Sequence, residues 1–283
     1  MPEFPIIDTH VHLVNRDRIR YSGLDEALPE LTKPFGLSTF HEHAADVEIG
    51  AFVFMEVACD ASDRLAEVEW VTELAAQDAR LQGIVASAAI EQGKAVTAEL
   101  ECYKQHSLVK GIRRLIQSES IDFCLQPSFL EGLRRLPELD YTFDICISHQ
   151  QLSNVISMVR QCPDVRFILD HIGKPDIKNQ TFEPWKTELA ELAELPNVHC
   201  KLSGMATEAD HRQWTRDDLR PYVDHVVDTF GFDRLVFGGD WFVATLAIEY
   251  PEWVGTVDWA LSGCSENELG KLYRENARAF YKL

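Results

Sequence analysis

Short apolar runs recur along the chain and alternate with stretches of helical periodicity. Most of the runs are continuous rather than alternating, which is typical of parallel strands covered on both faces. The eight runs are residues 5–10, 51–57, 81–90, 108–115, 142–148, 165–171, 198–204 and 234–240. The intervening segments with apolar residues at helical spacing are 61–78, 94–105, 128–139, 152–162, 184–195 and 219–230, and a last helix is expected over 265–283.

This alternation predicts a (β/α)8 TIM barrel, an α/β fold, that occupies residues 1–283 as a single domain. A doubly wound open sheet would normally carry a glycine-rich segment after its first strand. The first run here is followed by HVHLVNR, which contains no glycine, and this argues against an open sheet. Residues 13–50 are polar, contain Pro29 and Pro34, and include a short helical stretch near 38–49. We interpret them as a long first βα loop that is able to cover an active site.

Charge and cysteine usage narrow the class of protein. The formal net charge of −19 argues against binding to nucleic acid or to anionic membranes. No apolar run approaches the roughly 18–20 residues of a membrane span, and we expect no secretory signal because no basic segment followed by an apolar stretch is present. The seven cysteines are widely spaced without a CxxC pair, which favours reduced thiols in a cytoplasmic protein. The sequence carries no signal for an oligomeric state.

Polar residues collect at the carboxyl ends of the apolar runs, where barrel enzymes place their chemistry. His10 and His12 end the first run, and residues i and i+2 of a strand point to the same side. Imidazole is a common ligand for zinc, and His171 and Asp240 end two further runs and can complete such a set. Asp8 lies one step below the histidine pair. Other run ends supply candidate lining residues: Glu56, Arg113, His149, Lys174 and Trp241.

Five motifs in order carry a resemblance to a known family. IIDTHVHL, GIRR, HIGKP, KLSG and FGGDW resemble the amidohydrolase superfamily, in particular the lactonase branch that holds 2-pyrone-4,6-dicarboxylate lactonase and sugar lactonases. The resemblance implies a (β/α)8 barrel that hydrolyses a cyclic ester. It places His10, His12, His171 and Asp240 in the active site and Arg113 against a substrate carbonyl or carboxylate.

Two positions depart from the pattern of that superfamily. Members with two metals use a carboxylated lysine or a glutamate at the end of strand four, where this chain has Arg113 and Arg114. Lys110 lies near the start of that run, so we expect at most one metal ion. Phe242 stands where proline commonly follows the GDW motif.

The resemblance leads to a mechanistic hypothesis. Asp240 is the general base that deprotonates water, a role that favours a pKa near neutrality. His10, His12 and His171 polarise the lactone carbonyl, either directly or as ligands, with Asp240, of one divalent ion such as Zn2+. The expected substrate contacts are Arg113, His149, Lys174 and Trp241.

The substrate is expected to be a small-molecule lactone, and a sugar-acid lactone is slightly favoured. A carboxylated pyrone would need several arginines near the barrel mouth, for which the candidates are Arg16, Arg18, Arg20, Arg113 and Arg114. Other activities stay open at this point: a lactone isomerase, a metal-dependent decarboxylase of the same superfamily, and a barrel that binds a ligand without catalysis.

Overall fold

Eight parallel strands form one sheet in chain order, β1 to β8. The computed structural model describes residues 2–283 of the chain. The strands are β1 (Ile6–Val11), β2 (Ile49–Met55), β3 (Leu81–Ser87), β4 (Val109–Arg113), β5 (Thr142–Ile145), β6 (Phe167–Leu169), β7 (Val198–Leu202) and β8 (Leu235–Phe237). Each strand overlaps one predicted apolar run, and the predicted (β/α)8 barrel is confirmed.

Helices follow the strands around the outside of the barrel. They are α1 (Ser22–Ala27), α2 (Leu37–Ala44), α3 (Arg64–Ala75), α4 (Thr97–Tyr103), α5 (Pro127–Leu133), α6 (Leu152–Gln161), α7 (Trp185–Ala193), α8 (Arg216–Phe230), α9 (Tyr250–Ala260), α10 (Glu266–Gly270) and α11 (Asn276–Tyr281). Sequence patterning did not predict α1 or α9. The expected last helix is divided into α10, a π-helical turn over Lys271–Glu275, and α11. No helix among residues 2–283 is long and apolar enough to cross a membrane.

The barrel closes where β1 meets β8, through a single backbone bridge between Val11 and Trp241. Side chains complete this seam: the Thr9 hydroxyl donates to the carbonyl of Phe237 at 2.7 Å. Glycine at 239 permits the close approach, because a Cβ there would lie 2.4 Å from the Asp8 carboxylate. The GGD motif therefore brings the end of β8 against the strand that carries the histidine pair.

The first βα loop lies against the segment that follows β8. The Phe35 ring stacks on Phe242, with ring centroids 4.2 Å apart, and Phe242 packs edge-on against His12. The Trp241 indole is fully buried against Phe40 and its neighbours. The departure at residue 242 thus places an aromatic ring between the first loop and the histidine pair.

The C-terminal segment closes the opposite, amino end of the barrel. Inward-facing strand residues pack there against the last helix, α11, in a second apolar cluster that includes Ile7, Val53, Val85, Ile168, Val236, Phe280 and Tyr281. The Tyr281 hydroxyl reaches the barrel interior and donates to the Asp144 carboxylate at 2.6 Å. This end is therefore packed, and the carboxyl ends of the strands are the place where we expect a functional site.

Candidate active site

Three imidazole rings surround one carboxylate oxygen at the carboxyl end of the barrel. The Nε2 atoms of His12, His10 and His171 lie 3.5, 3.6 and 3.9 Å from Asp240 Oδ1, respectively. All four side chains are buried, with at most 5% of any of them exposed. The structure therefore brings together the four residues that the motifs selected.

Strained backbone sets the directions of His171 and Asp240. Both residues adopt positive φ angles, 54° in each case, which cost a non-glycine residue free energy and persist where the surrounding structure holds them. The strands β6 and β8 end before these residues, although the apolar runs continue through them. Gly204 of the KLSG motif lies against the His171 ring. A Cβ at this position would clash with His171 Nδ1, so the close approach requires glycine.

Hydrogen bonds to the far ring nitrogens orient two of the imidazoles. His12 Nδ1 lies 2.9 Å from the carbonyl oxygen of Met55, and His171 Nδ1 lies 2.9 Å from Ser203 Oγ. A carbonyl only accepts, so the neutral His12 ring carries its proton on Nδ1 and presents a lone pair at Nε2. That lone pair faces the Asp240 oxygen, and two acceptors at this distance call for a proton or a cation between them.

Burial disfavours the protonated form of two of the imidazoles. It lowers the pKa of His171 to about 4 and the pKa of His10 well below its ordinary value. Burial opposes ionisation of Asp240, but His171, His12 and His10 outweigh it and hold the pKa of Asp240 below its usual range. This direction is opposite to the near-neutral pKa expected for Asp240, since the surrounding rings favour the carboxylate.

The donor set fits one divalent cation. Two ligand atoms of a tetrahedral Zn2+ at about 2.0–2.1 Å lie roughly 3.4 Å apart. The distances of 3.5–3.9 Å from Asp240 to the three Nε2 atoms are close to that edge. The donor atoms of His10, His12 and Asp240 all lie within 4.8 Å of one another. Arg113 Nη1 competes for His10, because it lies 3.3 Å from His10 Nε2.

A second group of possible ligands lies deeper in the barrel, formed by His10, Asp170 and His171. The Lys201 ammonium contacts two members of this group, at 3.0 Å from Asp170 Oδ1 and 3.4 Å from His10 Nδ1. Lys201 also donates to Asp144 at 2.6 Å. The charge of the lysine would repel a cation bound to this second group.

Arg113 is held inside the protein rather than facing an open cavity. Its side chain is 4% exposed and pairs with Glu56 at 2.6 Å and with Asp170 at 3.2 Å. A second nitrogen, Nη2, donates to the carbonyl of Glu56. The guanidinium thus has its charge matched by two carboxylates, and its contact with His10 makes it part of the support of the site.

His149 and Lys174 line a cavity of about 500 Å3 at the barrel mouth. The Lys174 carbonyl lies 3.0 Å from His149 Nδ1, and the Lys174 ammonium donates to Gln117 at 2.7 Å. Glu208 lines the same cavity. Trp241 does not, since its ring is buried under the first loop.

Several residues of the site had no role assigned from the sequence. Asp170, Lys201 and Ser203 stand at run ends, a position that marks them in retrospect. Glu208 and Gln117 lie in loops with no distinguishing pattern. Asp144 and Tyr281 meet only through the closure of the barrel bottom, 137 residues apart in the chain, and short-range patterning gives no signal for that contact.

Comparison with known proteins agrees with this geometry. The family model described as amidohydrolase matches residues 7–283. An L-fucono-1,5-lactonase of Burkholderia multivorans is 30% identical, over 98% of this chain and 96% of that protein. An L-rhamnono-gamma-lactonase of Scheffersomyces stipitis is 24% identical over 62% of this chain and 60% of its own length.

A solved structure gives the same result for the fold. An amidohydrolase from Burkholderia multivorans with bound Zn superposes with a TM-score of 0.87 at 29% identity, covering 99% of this chain and 100% of that one. The family match spans nearly the whole chain, and the barrel and the His–Asp cluster are in place. The protein belongs to the amidohydrolase family.

Proposed function

We propose that the protein hydrolyses lactones, and that its substrates are lactones of sugar acids. The observation that carries the proposal is the convergence of His10, His12 and His171 on one oxygen of Asp240 at the carboxyl end of the barrel. The names of the two lactonase relatives support the same reaction class. A cyclic ester needs a base for water and positive charge or hydrogen-bond donors near its carbonyl oxygen, and this cluster supplies groups for both.

Asp240 acts as the base in this proposal. Water adds to the carbonyl carbon while one of its protons passes to Asp240. The bond from that carbon to the ring oxygen then breaks, and Asp240 returns the proton to the departing oxygen. The product is the open hydroxy acid, and the carboxylate is restored. His171, held by Ser203, faces the reacting carbonyl or its cation.

His12 fits a metal better than a bare carbonyl. Its neutral ring presents a lone pair at Nε2, which cannot donate to an oxygen. We propose that His12, Asp240, His171 and, against competition from Arg113, His10 hold at most one divalent ion, with Zn2+ suited to this donor set. When bound, such an ion polarises the lactone carbonyl and lowers the pKa of water.

The charge around the mouth favours a neutral ring over a dicarboxylate. Every arginine that was a candidate for binding a carboxylated pyrone has a carboxylate partner in the protein: Arg16 with Asp25, Arg18 with Glu73, Arg20 with Asp63, Arg113 with Glu56, and Arg114 with Glu91 and Glu119. The cavity carries Asp176, Glu208 and Asp210 together with Lys174, Lys178 and Arg212. Its lining therefore has no excess of positive charge that would favour a doubly charged substrate.

A pH-indicator assay tests the proposal. The purified protein is offered five- and six-membered aldonolactones and 2-pyrone-4,6-dicarboxylate, and acid release is followed. We expect turnover of at least one aldonolactone and little of the pyrone. Chromatography of the product separates hydrolysis, which yields the open acid, from isomerisation to another lactone. Silence across the aldonolactones contradicts the proposal.

A further inference from the structure

Lys174 and Glu208 face each other across the cavity at the barrel mouth, on the loops that follow β6 and β7. Lys174 Nζ and Glu208 Oε1 are 3.8 Å apart, which is too long for a hydrogen bond. Their side chains remain 23% and 26% exposed, so both are reachable from the cavity that they line. Gln117 fixes the lysine by accepting a hydrogen bond from its ammonium at 2.7 Å.

The loop that carries Glu208 is anchored, but its carboxylate is not. The backbone amide of Glu208 donates to Met205 at 3.1 Å, and its carbonyl accepts from Lys178 at 3.0 Å. Among residues 2–283 no group donates a hydrogen bond to the Glu208 carboxylate, and Lys174 is the cation that faces it. Burial raises the pKa of Glu208, Lys174 lowers it, and the neighbouring Asp240 charge raises it, so that the net direction is upward.

We infer that Lys174 and Glu208 together bind a ring hydroxyl of a polyhydroxylated lactone. The Lys174 ammonium donates to the hydroxyl oxygen, and the hydroxyl proton is donated to the Glu208 carboxylate. A hydroxyl both accepts and donates, so it is suited to the gap between a cation and an acceptor that do not reach each other. This inference rests on the proposed hydrolysis of sugar-acid lactones and assigns two residues that recognise a hydroxyl group of the substrate.

The pair also accounts for what the site would reject. An unsubstituted lactone leaves the Glu208 carboxylate without its donor, and a site built to pair with a hydroxyl discriminates against the analogue that lacks it. A carboxylate placed at the same point would meet Glu208 and Asp240 as like charges. Hydrogen bonds to charged groups contribute about 1.5–3 kcal/mol, which corresponds to roughly a 10- to 100-fold preference.

The test compares two substrates in wild type and in Glu208→Gln. An aldono-1,5-lactone carries ring hydroxyls, and δ-valerolactone has the same ring without them. We expect the variant to lose about 10- to 100-fold in kcat/KM for the hydroxylated ring and much less for the plain one. Glu191→Gln is the matched control, because Glu191 pairs with Arg160 on the surface. An equal loss on both substrates, or an unchanged ratio, overturns the inference.

A binding measurement separates this inference from the proposed function. Calorimetry with the aldono-1,5-lactam and with δ-valerolactam needs no turnover. If the wild type opens no lactone, the proposed lactone hydrolysis is wrong. The role of Glu208 in binding a hydroxyl is then decided by the affinities for these two lactams alone. At least tenfold weaker binding of the hydroxylated lactam to Glu208→Gln supports the hydroxyl site. Equal binding to wild type and variant, or no binding to either, overturns it.

Discussion

The Asp8 carboxylate accepts a hydrogen bond from the backbone amide of Gly239 at 2.8 Å, and this bond joins β1 to the turn that carries Asp240. The same oxygen accepts the amide of His10 at 2.9 Å. The second oxygen accepts the Tyr250 hydroxyl at 2.8 Å. Asp8 thus fixes the backbone at His10 relative to the backbone next to Asp240. Through Tyr250 it also connects α9 to both segments.

Replacing Tyr250 with Phe removes one donor from that carboxylate. Burial raises the pKa of Asp8 to about 6, so its charge depends on each bond it receives. We expect Tyr250→Phe to lose about 1–3 kcal/mol of unfolding free energy in urea titrations at pH 7.5. Tyr222→Phe is the control, because its hydroxyl makes only a 3.5 Å contact with Asp176. Equal losses of unfolding free energy in the two variants would contradict a stabilising role for the hydrogen bond from Tyr250 to Asp8.

Lys201 is a fully buried cation in the barrel interior. It lies 2.6 Å from Asp144 and 3.0 Å from Asp170, and all three side chains are fully buried. Removing one partner of such a group leaves uncompensated charge, so Lys201→Met should lose about 3–5 kcal/mol of unfolding free energy or fail to give soluble protein. Lys271→Met, which breaks the surface pair with Asp233, is expected to change stability little. Similar stability of the two variants would contradict a structural role for the interior cation.

Ser203 positions His171 and therefore the cluster around Asp240. Outer partners of metal-binding imidazoles typically contribute 10- to 100-fold to metal affinity or activity. We expect Ser203→Ala to weaken Zn2+ binding and to lower kcat/KM by a factor in that range, measured by competition with a chelating dye and by lactone turnover. The exposed Ser153→Ala is the control. A variant that matches wild type in both measurements shows that the 2.9 Å contact has no positioning role.

His199 gives a pH dependence away from the active site. Burial, with Arg234 and Arg166, lowers the pKa of His199 from 6.5 to about 4. Between these values the unfolded chain takes up a proton that the folded chain resists. The contribution of His199 to the free energy of unfolding is therefore complete above about pH 6.5. It is lost as the pH falls toward 4, and the loss is at most about 3 kcal/mol.

The variant His199→Gln isolates that contribution from the other buried histidines. Urea unfolding of wild type and variant is compared at pH 7, 5.5 and 4. The free-energy difference between them should shift in favour of the variant as the pH falls. Parallel curves across the range would mean that His199 titrates alike in the folded and unfolded chain.

The sequence predicted the barrel and the central cluster because both follow local rules. Continuous apolar runs identify covered parallel strands, and the carboxyl ends of those strands share one face of the barrel. His10 and His12 lie on one side of β1 by simple alternation. The apolar runs extend past the observed ends of β6 and β8, because positive φ angles at His171 and Asp240 are incompatible with a continuing strand.

What the sequence did not predict depends on contacts between distant segments. Arg113 stood at the expected strand end, but its partners Glu56 and Asp170 come from other strands, so its burial was not visible. Trp241 follows the aspartate in the chain, yet the first loop covers it. Glu208 stands in a loop without periodicity, and only the folded cavity places it opposite Lys174.

The most direct test of the account is the replacement of Asp240 by Asn. The amide keeps the shape of the carboxylate but cannot take a proton from water. We expect kcat on the best aldonolactone to fall by about 10²- to 10⁴-fold with a much smaller change in KM. Asp233→Asn, at an 81% exposed side chain, should match wild type. If Asp240→Asn retains turnover within a few-fold of wild type, Asp240 is not the base and the proposed mechanism is wrong.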